Sequence, residues 1–552
     1  MKQRSKKILI GVVIVALIAW ISGTLLLQSW TAKPPPLPAA TSIMQLKPET
    51  RDGKLWLGKS WASEREGVPV VFLKGSPFEM GYASSALLEK KVHTLESEFL
   101  GMVKGYVPQE WKLNLLKNYV IYRNRNLSDF VSLEYRQQIH GSVLGCADPH
   151  PELGNYYNRM LNYHAAHDVS YMLIDNPLIS RAGCTSFGAW GDATTNGHLI
   201  TGRNFDWEAA EVFSRDRVVI LCEPDNGIPS ISIAWAGMVG VLSGMNRAGV
   251  SVTINGAPSS LPRNTATPVA MVARDVLQNA HNFAEALAII RNAKVFVSTH
   301  WLVGSRADGK FMIVEKTPDA CNVLESESNT IISANHFQTA GLKDEERNTN
   351  YMSDATSVAR FNRMTEVLRE AHGKIDAARS AAILRDRNLP GGEFAGNGHR
   401  ASLNALIATH ATVMDLTDGI FWAASFPHQL GKFVAFDVND FDRELPEKAV
   451  PADAMLASGE FGKVQQANSH LAVGQTALKK KQPQDTLNAA DKAEELNPRF
   501  YHNSWLRGRA LQALGRSVDA AKAFEKALAE QPAFLKEKKE IETGLQQAQK
   551  SR

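Results

Sequence analysis

The chain has 552 residues, of which 44% are hydrophobic and 21% charged. This length predicts more than one domain, and the composition excludes a disordered, collagen-like or low-complexity protein. The 61 Lys and Arg residues against 57 Asp and Glu leave a net charge of +4, which is too weak a basic bias for a protein whose main partner is nucleic acid.

The N-terminal segment, residues 1–30, has the pattern of a membrane anchor. Four Lys and Arg residues precede the twenty uncharged residues Ile8–Leu27, and a helix of twenty residues spans about 30 Å, the thickness of the hydrocarbon layer. The basic cluster predicts a cytoplasmic N-terminus, with the remaining chain on the outer, extracytoplasmic face. A cleaved signal peptide is the alternative, but small residues would follow its apolar core, whereas bulky Trp30 follows here. The proline-rich residues 31–45 predict a stiff spacer.

Residues 46–445 have a mixed pattern that predicts one α+β domain. Short strand-like runs alternate with helical stretches such as 78–100 and 267–290. The dipeptide Asn196-Gly197 separates two strand-like runs and predicts a β-hairpin. Residues 446–463 have the composition of a linker.

Cys184 stands at the start of the first strand of this predicted hairpin. The turn folds the second strand back, and we expect it to bring Arg203 and Asp206 towards Cys184. A nearby guanidinium lowers the pKa of a thiol and increases the thiolate fraction that a nucleophile requires. The Asp206 carboxylate can hold Arg203 or orient the group that takes the thiol proton. From these residues alone, the commoner role of a cysteine, that of a small buried hydrophobic residue, stays open.

The other three cysteines give no pattern of their own. With Cys184 they make four, which are too few and too scattered for a disulfide scaffold, and no CxxC pair forms a zinc site; the three are Cys146, Cys222 and Cys321. We expect them to be buried or paired. The histidines lack metal-ligand spacing, and the chain has no P-loop and no GxGxxG motif, so we predict neither a metal nor a cofactor. The histidines without such spacing are His198, His300, His336 and His410.

Residues 464–552 are helical and repeat with a period of 34. This spacing resembles that of tetratricopeptide repeats, which are helix pairs that bind protein partners. Two repeats are fewer than usually fold alone, so we expect them to pack against the catalytic domain or the tail helix 536–549. A chance amphipathic helical bundle is the alternative. The recurring pairs are Gly474 and Gly508, Ala477 and Leu511, Ala489 and Ala523, Ala493 and Ala527, Pro498 and Pro532, and Phe500 and Phe534.

The motifs around Cys184 resemble those of the cysteine N-terminal-nucleophile (Ntn) hydrolases. This superfamily includes the acyl-CoA:6-aminopenicillanic acid acyltransferases, the choloylglycine hydrolases and the acid ceramidases, and the chain resembles the acyltransferase branch over about residues 68–438. Five motifs occur in the order found in that branch. They are Gly75–Tyr82, Gly183–Ser186 with Gly202–Trp207, Gly244–Asn255, Ser333–His336 and Val358–Met364.

The resemblance implies an αββα sandwich and a chain that cuts itself between Gly183 and Cys184. The freed α-amino group, whose pKa is near 8, would then act as the base for its own thiol. In this family pattern Asp206 would orient that amine.

Three further residues receive roles from the same resemblance. Asn255 and Asn335 would offer amide donors to the tetrahedral oxyanion. Arg360, together with Arg203, would fix the site or hold an anionic substrate group. Judged from the residues alone, a cap or turn role for either asparagine and a solvated helical charge for Arg360 stay open.

The sequence therefore predicts a membrane-anchored, outward-facing amidohydrolase or acyltransferase. Its substrate would be a small N-acyl amide, processed through an acyl thioester on Cys184. Two alternatives stay open. One is a tethered repeat scaffold whose acylase-like domain is inactive, and the other is a Cys-His hydrolase that never cleaves itself.

Overall fold

The computed structural model describes residues 26–39, 41–166, 183–208, 210–258 and 265–551, together with Gly23 and Asp168. Most of the predicted anchor, Ile8–Leu27, lies outside these residues. Within the described part of the chain, no helix combines the length and the apolar character needed to cross a membrane.

Seventeen strands occur in the described residues, and they form two sheets. In chain order they are β1 (Glu49–Arg51), β2 (Lys54–Leu57), β3 (Ser60–Arg65), β4 (Val68–Gly75), β5 (Thr185–Gly191), β6 (Gly197–Asp206), β7 (Arg217–Pro224), β8 (Ser230–Trp235), β9 (Ser243–Asn246), β10 (Val250–Gly256), β11 (Thr299–Ser305), β12 (Lys310–Lys316), β13 (Cys321–Glu325), β14 (Thr330–Ser333), β15 (Ala408–Asp415), β16 (Ile420–Ala424) and β17 (Phe433–Asp437).

The first sheet has the order β1-β2-β3-β4-β7-β8-β9-β10-β11-β12-β13, and the second has the order β14-β5-β6-β15-β16-β17. Neighbouring strands are antiparallel except β4 and β7, which run parallel with Val70 opposite Val219. The two sheets pack face to face, because their inner faces carry large apolar side chains that form one buried cluster. This cluster includes Trp61, Val219 and Leu221 from the first sheet and Phe421 and Phe436 from the second.

Seventeen α-helices lie in the part of the chain that the structure describes. They are α1 (Pro77–Leu87), α2 (Glu89–Tyr106), α3 (Glu110–Arg123), α4 (Leu133–Gly145), α5 (Tyr156–His164), α6 (Val212–Arg215), α7 (Val269–Asn279), α8 (Phe283–Asn292), α9 (Glu346–Asp354), α10 (Ser357–Glu370), α11 (Ala377–Leu384), α12 (Ala454–Ala457), α13 (Glu460–Lys479), α14 (Pro483–Leu496), α15 (Tyr501–Ala513), α16 (Ser517–Ala529) and α17 (Leu535–Lys550).

Helices cover the outer face of each sheet. The apolar side of α7 packs on β10, with Val276 and Ile254 in one buried cluster. Helices α10 and α11 cover the second sheet, with Leu368 and Ile383 packed against residues such as Val413. The layers are therefore helix, sheet, sheet and helix, and the predicted α+β class is confirmed.

The segment Gly75–Tyr82, which the sequence singled out as a motif, builds a helix rather than the site. Ser76 and Glu79 form a reciprocal capping box at the start of α1, and Pro77 is the first residue of this helix. Gly81 lets α1 approach α4 closely, because a Cβ there would lie 1.8 Å from the Gln138 carbonyl oxygen. The motif therefore sets the position of the two upstream helices.

The C-terminal part of the chain is a helical domain, in which successive helices from α13 to α17 pack on one another. Gly474 and Gly508, which are 34 residues apart, both lie at tight helix contacts. An added Cβ would come within 2.7 Å of Leu506 at Gly474 and within 2.6 Å of Phe524 at Gly508.

The segment 446–463, predicted as a linker, is packed against the sheet domain. Val450 exchanges two backbone hydrogen bonds of 3.0 Å with Phe433, and Met455 is buried beside Leu430. The first long helix of the C-terminal domain begins at Glu460, slightly before the expected boundary.

Candidate active site

Cys184 precedes β5, and the β5–β6 hairpin places its neighbours as the turn dipeptide predicts. Ser186 lies opposite Arg203 in the antiparallel ladder. The Gly183 amide donates to the Asp206 carbonyl oxygen at 2.9 Å. The predicted hairpin is thus confirmed, and both ends of the Gly183–Cys184 bond lie beside the end of β6.

Arg360 joins the start of β5 to Asn335. Its Nη1 donates to the Cys184 carbonyl oxygen at 2.6 Å, and its Nη2 donates to Asn335 Oδ1 at 2.7 Å. A Cβ added at Gly183 would lie 3.6 Å from the guanidinium. Arg360 is only 1% exposed, so a solvated helical charge is not its role.

Arg203 ties β6 of the second sheet to the first sheet. Its Nη1 donates to the Leu242 carbonyl oxygen at 2.6 Å, and its Nη2 donates to the carbonyl oxygen of Ile254. The same Nη2 lies 3.4 Å from Asn255 Oδ1. These carbonyl contacts hold the guanidinium beneath the site as a fixed, fully buried charge.

The two asparagines differ in how many hydrogen-bond acceptors their side-chain amide already has. Asn255 Nδ2 has three acceptors, Ser186 Oγ at 2.9 Å, the Ser333 carbonyl oxygen at 3.0 Å and Ser333 Oγ at 3.1 Å, which is more than its two hydrogens can serve. Asn335 Nδ2 donates to the Gly256 carbonyl oxygen at 2.8 Å, and its second hydrogen has no acceptor among the residues that the structure describes. Neither residue is a simple cap or turn, since both are buried and bonded to elements distant in sequence.

The pKa of the Cys184 thiol departs from the expectation of a lowered value. Burial raises it, and the nearby Asp206 charge acts in the same direction, while the charges of Arg203 and Arg360 only partly oppose this rise. The reason is desolvation, because a fully buried thiol loses the water that would stabilise its thiolate. Cys184 in this structure is therefore mainly a neutral thiol at pH 7.

Asp206 is buried as well, and burial raises its pKa to about 7. The charges of Arg360, Arg400 and Arg203 act against this rise. Its Oδ1 has no hydrogen-bond partner among the residues that the structure describes. A buried carboxyl oxygen that accepts no hydrogen bond destabilises the folded protein, and it can accept a bond from a donor that enters the site.

Sequence reasoning missed several polar side chains that hold the predicted residues in place. His300 Nδ1 lies 3.3 Å from Ser333 Oγ, and His410 Nε2 lies 2.9 Å from Ser243 Oγ. Burial lowers the pKa of His300 to about 3 and that of His410 well below its usual value, so both rings are neutral. Both histidines lie within strands, β11 and β15, whose residue patterns do not predict these contacts.

All four cysteines are free thiols. Cys222 is buried and accepts a hydrogen bond from Arg274 at 3.2 Å. Cys146 and Cys321 are half-buried. We expected these three cysteines to be buried or paired; Cys222 is buried, whereas Cys146 and Cys321 are neither fully buried nor paired.

One group of side chains with ligand-like spacing lies away from Cys184, at the turn between β15 and β16. His198 Nδ1 is 2.8 Å from Asp415 Oδ2, with Asp418 close by. Asp415 also accepts hydrogen bonds from the backbone amides of Thr417 and Asp418, and Lys448 lies 3.5 Å from Asp418. These carboxylates hold the turn and balance neighbouring charges.

A family model described as acyl-coenzyme A:6-aminopenicillanic acid acyl-transferase matches residues 193–395 of the chain. This match supports an Ntn-hydrolase-like fold for the region and an amidohydrolase or acyltransferase class. Cys184 lies nine residues before the matched region, while Arg203, Asp206, Asn255, Asn335 and Arg360 lie within it.

Among curated proteins, an uncharacterized protein of Archaeoglobus fulgidus is 24% identical over 393 residues, which are 65% of this chain and 63% of that protein. Protein dcd1B of Dictyostelium discoideum is 25% identical over 295 residues, which are 50% of this chain and 56% of that protein. The matched part of the chain thus spans less than two thirds of each relative.

Two solved structures give distant matches. One is a Caenorhabditis elegans ortholog of N-acylethanolamine-hydrolyzing acid amidase, with a TM-score of 0.32, 18% identity and coverage of 42% of this chain and 93% of that chain. The other is a variant of the conjugated bile acid hydrolase of Clostridium perfringens, with a TM-score of 0.34, 16% identity and coverage of 48% and 95%.

Proposed function

We propose that the protein is a cysteine Ntn amidohydrolase or acyltransferase, with Cys184 as its nucleophile. The observation that carries this proposal is that Arg360 and Asp206 both contact the backbone of Gly183 and Cys184 at the head of β5, with Asn335 bonded to Arg360. Arg360 bonds both the Cys184 carbonyl and Asn335, and Asp206 supplies a buried oxygen that has no hydrogen-bond partner in the described part of the chain. The family match supports the same class of reaction.

The first step is self-cleavage. The Cys184 sulfur attacks the carbonyl carbon of Gly183, the bond from that carbon to the Cys184 nitrogen breaks, and this nitrogen takes the thiol proton. Water then hydrolyses the resulting thioester, which leaves a carboxylate on Gly183 and restores the thiol. The product has the free α-amino group that the uncut chain lacks.

The new amine changes the electrostatics of the site. As an ammonium it would donate to the unpaired oxygen of Asp206 and favour the carboxylate form, lowering the raised pKa of Asp206. A carboxylate beside the amine orients it towards the thiol of the same residue. The raised thiol pKa of the uncut chain is thus a property of the precursor, and cleavage supplies the missing base.

In turnover, the α-amine takes the thiol proton and the sulfur attacks the acyl carbonyl of an N-acyl amide. The carbon–nitrogen bond breaks, and the leaving amine takes the proton. The acyl thioester on Cys184 then passes its acyl group to water or to an acceptor amine. Of the two asparagines, Asn335 has the greater capacity to donate to the oxyanion, because its Nδ2 has one acceptor among the described residues whereas the Asn255 amide is already used within the protein.

The remaining parts of the chain extend this proposal. The apolar run Ile8–Leu27 would anchor the enzyme to a membrane with the catalytic domain outside. The C-terminal helices would act as tetratricopeptide-like repeats that bind a protein partner.

The test is the intact mass of purified protein, with amine release from a panel of N-acyl amides. We expect two chains, one ending at Gly183 and one starting at Cys184. Cys184→Ala should give one full-length chain and no turnover, and Cys184→Ser should retain part of either activity. Cys321→Ser is the matched control, because Cys321 is half-buried in β13, and it should be processed normally.

Each alternative has its own outcome. Undiminished turnover in Cys184→Ala would contradict the proposal. An uncut wild-type chain that is inactive would indicate the scaffold, and an uncut chain with activity that depends on Cys184 and a histidine would indicate a Cys-His hydrolase.

A further inference from the structure

The loop 393–404 lies between the C-terminal helical domain and β6. At its centre, the Asn397 amide donates to Asn497 Oδ1 at 3.0 Å, and Asn497 Nδ2 donates back to the Asn397 carbonyl oxygen at 2.9 Å. Both residues are buried. A reciprocal pair of buried hydrogen bonds fixes this loop in both distance and orientation relative to the C-terminal end of α14.

The same loop is held at two more points. His399 Nε2 donates to the Gln531 carbonyl oxygen at 2.8 Å, and its ring packs edge-on against Tyr501. Burial lowers the pKa of His399 to about 4, so the ring is neutral. Gly396 lies so close to Phe500 that a Cβ there would be 2.9 Å from the Phe500 backbone.

The residues that follow His399 face the candidate active site. Arg400 Nη1 donates to Glu208 Oε2 at 2.9 Å, and Glu208 is two residues beyond Asp206. The Leu403 carbonyl accepts from Asn204 Nδ2 at 2.9 Å. Of two consecutive residues, His399 thus contacts the C-terminal domain and Arg400 contacts the segment just beyond β6.

We propose that the C-terminal helical domain positions Arg400 at the Asp206 end of the candidate active site through the loop 393–404. Asn497, Phe500 and Gln531 are then positioning residues, acting through this loop. The domain would be part of the apparatus that sets the charge around Asp206, in addition to any partner that it binds. The positioning of Arg400 is independent of the proposed function, whereas a role for Arg400 in turnover rests on it.

The consequence is electrostatic. The Arg400 charge opposes the rise in the pKa of Asp206 that burial causes, together with the charges of Arg360 and Arg203. If the loop moves, Arg400 moves with it, and Asp206 should protonate at a higher pH. A purely structural contact would change stability without moving the pKa of this carboxyl.

The experiment compares two glycine substitutions in the same loop region. Gly396→Ala places a methyl group against Phe500. At Gly391 no atom lies within 4 Å of an added Cβ, so the methyl group of Gly391→Ala meets no neighbour. The backbone φ angles are alike, +89° at Gly396 and +82° at Gly391, so strain from positive φ is matched. We expect hydrogen exchange of the Asn397 amide to become at least about tenfold faster in Gly396→Ala than in Gly391→Ala.

A second pair of variants removes the contact from the other side. Asn497→Ala deletes both hydrogen bonds to Asn397, and Asn488→Ala is its control, because Asn488 is an exposed residue of α14. Faster exchange of the Asn397 amide in Asn497→Ala alone is expected. Unchanged exchange in both Gly396→Ala and Asn497→Ala would overturn the proposal.

The pKa of Asp206 gives a readout that does not depend on activity. It is obtained from the pH dependence of the free energy of unfolding of the uncut Cys184→Ala chain, with and without Asp206→Asn. Arg400→Gln should raise this pKa by roughly half a pH unit, and Gly396→Ala should move it in the same direction. An unmoved pKa in Gly396→Ala, despite faster loop exchange, would also overturn the proposal, whatever the fate of the Gly183–Cys184 bond.

Discussion

The carboxyl group of Asp206 couples the stability of the uncut chain to pH. Its pKa is about 7 in the folded chain and near 4 in an unfolded one. Between these values the folded chain keeps a proton that the unfolded chain has lost. The free energy of unfolding therefore falls as pH rises from about 4 to about 7, by up to roughly 1.4 kcal/mol for each pH unit.

Denaturant unfolding of Cys184→Ala at a series of pH values would measure this dependence. The same series on Cys184→Ala carrying Asp206→Asn is the control, because an amide does not titrate in this range. We expect the two stability curves to converge at low pH and to separate progressively up to about pH 7. Parallel curves would mean that Asp206 has an ordinary pKa.

For single residues, the sequence predicts positions better than it predicts chemical properties such as a pKa. The Asn196-Gly197 turn was sufficient to place Arg203 and Asp206 beside Cys184, because the register of a short hairpin follows from its turn. The thiol pKa was predicted in the wrong direction, since desolvation depends on layers of the fold that local sequence does not describe. Ser186 and Ser333, which accept hydrogen bonds from Asn255, lie within the motifs Gly183–Ser186 and Ser333–His336, but nothing in those motifs assigns them this role.

Helices α1 and α4 cross at a close contact made by glycines, so a larger residue at this crossing should destabilise the upstream part of the chain. A Cβ at Gly141 would lie 2.2 Å from the Phe78 carbonyl oxygen. We expect Gly141→Ala to destabilise the protein by about 1–3 kcal/mol, because backbone must shift to accommodate it. Thermal unfolding would measure the loss.

The matched control is Gly101→Ala in α2, where no atom lies within 4 Å of an added Cβ. Alanine in an open helical position should stabilise the protein by roughly 0.5–1 kcal/mol. Equal effects of the two substitutions would contradict the close crossing.

Local patterns predicted the kinds of element better than their ends or partners. The stretch 267–290 was expected to be one helix, but α7 ends at Asn279 and α8 begins at Phe283. Asn282 causes the break, because its side chain accepts a hydrogen bond from the Glu285 amide and caps the second helix. The parallel pairing of β4 with β7 has no turn signal, since some 140 residues separate the two strands.

Over the whole molecule, the upstream and downstream parts share one sheet. Strand β4 lies between β3 and β7, so a cut after Gly183 would leave β1–β4 in the same sheet as the strands that follow. We expect the two pieces to co-elute in size-exclusion chromatography and to separate only in denaturant. Dissociation of the cut protein under native conditions would contradict this arrangement.

The period of 34 residues predicted the C-terminal helices, and we expected them to pack against the catalytic domain or against the tail helix 536–549. The repeat pattern did not identify which residues make the contact between the C-terminal helices and the catalytic domain. Asn397 and Asn497 are 100 residues apart, and neither lies in a motif. Contacts between domains depend on surface shape, which a repeat pattern does not encode.

The parallel ladder between β4 and β7 has a consequence for how the protein can be renatured. In one continuous chain, the two strands meet by closing a loop, whose entropic cost rises only slowly with its length. Once the chain is cut, the same ladder must form between separate molecules, and the high local concentration supplied by the covalent link is lost. Refolding of the cut protein should therefore depend on protein concentration and fail on dilution, while the uncut Cys184→Ala chain should recover. If the chain cleaves itself as proposed, the cleavage would in this way convert a reversible fold into one that forms only during biosynthesis.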